Sequence, residues 1–173
     1  MAKITLLTGG ARSGKSTRAL EIADAAGAGR RFFIASGEAL DDEMAVRIAR
    51  HKENRSKEFE TIEAPLKVAE AIASLDVPAA IAIFDCLTLW VSNLMGSGAS
   101  DAEILGEADR LAKTLTAAPF PVVVVTDEVG MGIVPDNAMS RRYRDLLGWT
   151  NQKIAAAADQ VILMVAGCSL RVK

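Results

Sequence analysis

A three-layer α/β fold built on a mainly parallel sheet is what this sequence predicts. Two observations carry it: five apolar runs are continuous, as in strands buried on both faces, and helical patterns lie between them. A third sets the scale, since 173 residues suit one domain, residues 1–173, with a sizeable core and its site built in.

The elements follow in order. The first run, I-T-L-L-T at residues 4–8, stops at glycines, and a helix is expected over 16–26. The second run is R-F-F-I-A-S at 31–36. D-D-E-M at 41–44 then starts a helix with acids in its first turn and bases toward its end, the order the helix dipole favours. At helical spacing Met44, Ile48, His51 and Arg55 share one face of it. A helix over 65–75 precedes the third run, A-I-A-I-F at 80–84, and a helix-like segment follows Asp85. S-D-A-E at 100–103 is a capping box that opens a helix to about residue 115. Residues 95–100, M-G-S-G-A-S, are expected to form the most flexible loop. V-V-V-V-T at 122–126, a helix over 140–157 and V-I-L-M-V at 161–165 complete the pattern, with no repeat and no linker.

Composition narrows the function. The chain is 50% hydrophobic and 24% charged with a formal net charge of -2, which argues against disorder and gives a polyanion-binding surface no support. Aromatic residues make up 5%, few for the stacking platforms of single-stranded nucleic acid. The expectation is small-molecule chemistry with no nucleic acid partner. Cys86 and Cys168, the two cysteines, lie in no CxxC or Cys/His metal spacing and are expected to be reduced, inert thiols. No apolar stretch approaches the roughly 20 residues of a membrane span, and the first run is too short for a signal-peptide core. A soluble, cytoplasmic protein is expected.

Residues 9–16, G-G-A-R-S-G-K-S, fit G-x-x-x-x-G-K-[ST] at every defined position, after a strand and before a helix. This predicts the P-loop nucleoside triphosphate hydrolase version of the fold. Backbone N–H groups of Gly9, Gly10, Ala11, Arg12, Ser13 and Gly14 would converge on phosphate oxygens at the positive end of the helix. Lys15 would reach the β- and γ-phosphates, and the Ser16 hydroxyl would join the shell of a Mg²⁺ ion. That ion also wants a carboxylate at a neighbouring strand end, which either Asp85 or the Asp127-Glu128 pair offers. Asp85 is favoured, because its apolar run is the more continuous and a helix-like segment follows. The motif leaves the reaction open. No asparagine precedes a lysine, so the N-K-x-D of guanine-specific switch proteins is missing.

His51, the sole histidine, stands in V-R-I-A-R-H-K-E-N-R among Arg47, Arg50, Lys52 and Arg55. Read alone it is a histidine packed near a helix end. The P-loop, F-I-A-S at 33–36, L-D-D-E-M at 40–44, the R-I-A-R-H-K segment with Arg55, and E-V-G-M-G-I-V-P at 128–135 alter that reading. With R-Y-R-D at 142–145 and Asn151-Gln152, they resemble, end to end, the bifunctional adenosylcobinamide kinase/adenosylcobinamide-phosphate guanylyltransferase family of adenosylcobalamin biosynthesis.

The resemblance implies two reactions. ATP or GTP phosphorylates a hydroxyl of adenosylcobinamide, and GTP then donates GMP to adenosylcobinamide phosphate, giving adenosyl-GDP-cobinamide and pyrophosphate. It further implies a guanylylated histidine, matching His51, and nucleotide contacts at Gly9 to Ser16, at Ala35, Ser36 and Gly37, at Lys52, Glu53, Asn54 and Arg55, and at Glu63 and Asp85. A homotrimer is implied too. The chemistry of the residues agrees: an attacking imidazole must be neutral, and neighbouring cations push its pKa down while offsetting charge on departing pyrophosphate. Where the family pattern is expected to read T-N-E-V-G, this chain has Asp127 in place of the asparagine. Gly130 and Gly132 are read as shaping a turn, and Arg141, Arg142 and Arg144 as either a clamp or a solvated surface. Two other functions compete: a P-loop kinase of another small alcohol with His51 structural, and a non-catalytic nucleotide-binding regulator.

Overall fold

The computed structural model describes residues 3–37, 58–75 and 79–173. In those residues β1 (Ile4–Gly9), α1 (Lys15–Asp24), β2 (Arg30–Ala35), β3 (Phe59–Glu63), α2 (Val68–Ala73) and β4 (Ala79–Asp85) come first. Then follow α3 (Leu87–Gly96), α4 (Asp101–Ala117), β5 (Val122–Val125), α5 (Ala138–Ala157), β6 (Gln160–Val165) and β7 (Cys168–Arg171). The strands form one seven-stranded sheet in the order β3-β2-β4-β5-β1-β6-β7. Every pairing is parallel except β6 with β7.

Continuous apolar runs are explained by burial on both faces. Along β4, Ala82 and Phe84 pack into one cluster while Ile81 and Ile83 pack into the other, and along β1 Leu6 and Leu7 divide in the same way. Alternate side chains of a strand point to opposite faces, so both faces favour apolar residues, with Thr5 of β1 a buried exception. Of the described helices, α1 covers one face through Ala19 and Ala23, and α2 to α5 cover the other around Trp90 and Leu111. Trp90 is fully buried, meets Phe84 edge to face at 6.4 Å, and donates its indole N–H to the Leu66 carbonyl at 2.8 Å.

The five predicted strands are β1, β2, β4, β5 and β6. The two the pattern passed over, β3 (F-E-T-I-E) and β7 (C-S-L-R), are the edges of the sheet, where outward side chains face water and apolar continuity is not required. Two other expectations need correction. The helix expected over 65–75 is confined to Val68–Ala73, because the carbonyls of Pro65 and Leu66 are taken by Asn93 and Trp90 instead of an α-helical ladder. Residues 95–100 are tied down: Ser97, Gly98 and Ala99 donate to Asn93, Met95 and Leu94, and Ser100 and Glu103 complete the capping box. The helix expected from Asp41 lies outside the described residues.

Candidate nucleotide site at the carboxyl edge of the sheet

Parallel strands in sequence bring their carboxyl ends to one edge. There Glu63, Ala35, Asp85, Val125 and Leu7 stand in one row across β3, β2, β4, β5 and β1. Open α/β sheets place ligands outside this edge.

The loop after β1 is shaped by its glycines. Gly9 has φ 146°, and a β-carbon there would collide with the carbonyl oxygen of Met164 on the adjoining β6. Gly14, at φ 98°, caps α1 with no side-chain hydrogen bond, and the first turn of α1 contains no acidic residue. The N–H groups at that end are therefore left to an outside acceptor. Ser13 closes the turn by donating its N–H to Gly10 O at 3.3 Å, and its own carbonyl accepts from Gly167 N–H at 3.0 Å, bracing the loop against the β6–β7 turn.

Lys15 is buried at 8% exposure, and its ammonium folds back over the loop. Nζ donates to Gly9 O at 2.9 Å and Gly10 O at 2.7 Å and pairs with Asp127 Oδ1 at 2.6 Å. Beside it Ser16 Oγ donates to Asp85 Oδ2 at 3.3 Å, so the hydroxyl and the favoured carboxylate converge. Among the described residues no group of three or more His, Cys, Asp or Glu could hold a metal. A hydroxyl and one carboxylate still suit Mg²⁺, which keeps several waters and takes the rest of its shell from phosphates. The two carboxylate positions thus separate: Asp85 meets Ser16, and Asp127 meets Lys15.

The predicted turn at Ala35, Ser36 and Gly37 locks onto the end of β4. Ser36 is fully buried, its Oγ donates to Cys86 O at 2.7 Å and accepts from Cys86 N at 2.9 Å, and its N–H donates to Asp85 O at 3.2 Å. Glu63 ends β3 in register with Ala35, two strand spacings or about 10 Å from Asp85, and so lies away from the loop. His51, Lys52, Glu53, Asn54 and Arg55 lie outside the described residues.

Two positioning residues, Asn93 and Thr88, escaped the sequence reading, and a third, Asn151, entered it only through the family resemblance. Asn93 donates to Ser36 O at 2.7 Å and Pro65 O at 3.1 Å, fixing the turn from α3. Thr88 accepts the Asp127 N–H at 2.8 Å, and its carbonyl accepts the Tyr143 hydroxyl at 3.1 Å. Asn151 accepts from Thr126 Oγ1 at 2.7 Å and donates to Asp127 O at 3.3 Å. An asparagine within the largely apolar L-T-L-W-V-S-N-L-M was the available signal for Asn93. Burial pushes the Tyr143 phenol well above its ordinary range, and the Cys86 thiol rises to about 12 for the same first reason, with the Asp85 charge next. Arg142 donates to Asp101 at 2.6 Å and Ala99 O at 3.1 Å, Arg141 to the carbonyls of Pro135 and Asp136, and Arg144 lies 3.6 Å from Asp145. Arg141 and Arg142 thus brace the loop and the helix start beside them. Gly130 sits in a bend where its N–H donates to Glu128 Oε1 at 2.7 Å.

Among solved structures, the chain is similar to the RadB recombinase (TM-score 0.53, 16% identity, covering 92% of this chain and 73% of that one). It is likewise similar to a KaiC-like protein of Pyrococcus horikoshii (TM-score 0.52, 14% identity, 93% and 70% covered), and both likenesses concern the fold alone. Sequence relatives are nearer. The chain is 40% identical to the bifunctional adenosylcobalamin biosynthesis protein CobU of Salmonella typhimurium, over 97% of this chain and 98% of that protein. It is 38% identical to CobP of Pseudomonas aeruginosa, bearing the same description, over 97% and 96%. The sequence model described as cobinamide kinase / cobinamide phosphate guanyltransferase matches residues 5–172, and the chain belongs to that family.

Proposed function

We propose that this enzyme of adenosylcobalamin biosynthesis carries out both family reactions at the carboxyl edge of the sheet, with the loop of residues 9–16 as the triphosphate cradle and His51 as the guanylyl acceptor. The observation that supports the cradle best is the meeting of Ser16 and Asp85, with Ser16 Oγ 3.3 Å from Asp85 Oδ2, next in sequence to the buried Lys15.

In the kinase step, Lys15 and the loop N–H groups hold the β- and γ-phosphates of ATP or GTP while the hydroxyl of adenosylcobinamide attacks the γ-phosphorus and a nucleoside diphosphate leaves. Ser16 and Asp85 would hold Mg²⁺, which when bound neutralises charge on the phosphate oxygens. In the transfer step, the neutral imidazole of His51 attacks the α-phosphorus of GTP. The N–P bond forms as the bond to pyrophosphate breaks, with Lys52 and Arg55 offsetting the departing charge. An oxygen of adenosylcobinamide phosphate then displaces the imidazole and takes the GMP. Ala35, Ser36, Gly37, Glu53, Asn54 and Glu63 complete the nucleotide contacts in this reading, within a cytoplasmic homotrimer whose mass sedimentation would report.

The test uses GTP labelled at the α-phosphorus. Wild type takes up acid-labile, alkali-stable label, and His51→Ala takes up none; equal labelling of the two ends the nucleophile assignment. Lys15→Ala lowers cobinamide phosphorylation by on the order of 100-fold or more, and an unchanged rate removes the loop from the kinase step.

A further inference from the structure

Asp127 belongs to none of the roles assigned above, yet it makes the shortest polar contact of the loop. Its Oδ1 lies 2.6 Å from Lys15 Nζ, whose side chain is 9% exposed against 31% for the aspartate. An ammonium has three protons to give, and Gly9 O, Gly10 O and Asp127 Oδ1 take them at 2.9, 2.7 and 2.6 Å, with Ser13 Oγ a longer contact at 3.5 Å. A triphosphate oxygen can engage this ammonium only by displacing one of these partners. The two carbonyls are fixed by the loop, whereas the carboxylate is an anion of the same sign as the phosphate and is repelled by it. Asp127 is also held in place: its N–H donates to Thr88 Oγ1 at 2.8 Å on α3 and its carbonyl accepts from Asn151 at 3.3 Å on α5.

We propose that Asp127 is an affinity-setting residue that competes with the nucleotide's phosphates for Lys15 and speeds nucleotide exchange by recapturing the ammonium as the phosphates leave. The inference rests on the reading that residues 9–16 cradle a triphosphate. It gives that reading a needed property. When both reactions use one loop, the nucleoside diphosphate left by phosphoryl transfer must depart before GTP enters for the second, and a lysine that holds phosphate too well would slow the cycle.

The test measures equilibrium binding and dissociation of a fluorescent GTP analogue, in Mg²⁺ and separately in EDTA, for wild type, Asp127→Asn, Lys15→Met and the double variant. Asparagine keeps the shape and removes the charge. Asp127→Asn is expected to bind about tenfold tighter in both buffers, mostly through slower dissociation. In the Lys15→Met background the same change should tighten binding far less, since only like-charge repulsion is then relieved, whereas a merely structural role would give the same effect in both backgrounds. Unchanged or weaker binding by Asp127→Asn overturns the proposal, as does weakening confined to Mg²⁺, the mark of a metal ligand. Should the asparagine variant lose its thermal transition, Asp127→Ser carries the same expectations. If wild type itself binds no GTP, the cradle reading falls; if wild type binds and removing the charge does not tighten it, this inference alone falls.

Discussion

Cys86 and Cys168 show how position decides the chemistry of one residue type. Cys86 is 8% exposed and its thiol is pushed up to about 12, first by burial, while Cys168 is exposed on the edge strand β7. A thiol reagent at pH 8 should therefore titrate one group in the folded protein and two after denaturation; two in the native state would contradict the burial of Cys86. Because the folded pKa is raised above the ordinary thiol value of 9.0, the contribution of Cys86 to stability is complete below about pH 9 and is lost as pH climbs toward 12. Cys86→Ser, whose hydroxyl does not titrate there, should flatten that part of a stability-against-pH curve. Legibility at this scale follows locality. Lys15 and Ser16 could be read because a phosphate cradle demands fixed groups at fixed spacing within eight residues. Asp127 was noticed as a second strand-end carboxylate and as a departure, but not as the partner of Lys15, since that contact joins segments that neither periodicity nor spacing relates.

Strands and helices set the geometry of the site through their ends. β2 and β4 are joined past their last ladder bond by Ser36, whose hydroxyl serves both polar groups of Cys86 and whose own carbonyl is held by Asn93. Ser36→Ala leaves the buried Cys86 N–H without its partner, while the Cys86 carbonyl keeps the Trp90 N–H at 3.1 Å, and that loss costs about 1–3 kcal/mol. Denaturant unfolding should show that loss, and GTP affinity should weaken as the turn loosens; full retention of both would show that the hydroxyl is dispensable. β4 and β5 were readable because strands covered on both faces must be apolar throughout, and β3 was not because an edge strand carries Glu60, Thr61 and Glu63 toward solvent. α3 stood as no more than a helix-like segment, since L-T-L-W-V-S-N-L-M is apolar almost all round and lacks a clear stripe.

Across the whole molecule, the site gathers segments from both halves of the chain onto one rim, and the strand order that achieves this is invisible in any single run. Stability and binding are coupled in consequence. GTP at about 100 times its Kd should stabilise the fold by about 2.7 kcal/mol, a rise in Tm of roughly 5–10 °C for a chain of this size, and Lys15→Ala should lose most of it. A thermal scan showing equal shifts for both proteins would place the nucleotide elsewhere. Among described helices none is long and apolar enough to cross a membrane.

The bond from Gly167 N–H to Ser13 O gives the protein a clock. During synthesis G-G-A-R-S-G-K-S leaves the ribosome well before β6, which lies against Gly9, and before the turn that braces Ser13. A nascent chain thus displays the whole phosphate-binding sequence before the wall that shapes it exists, and a ribosome stalled before residue 160 holds the motif without the strand that packs against Gly9.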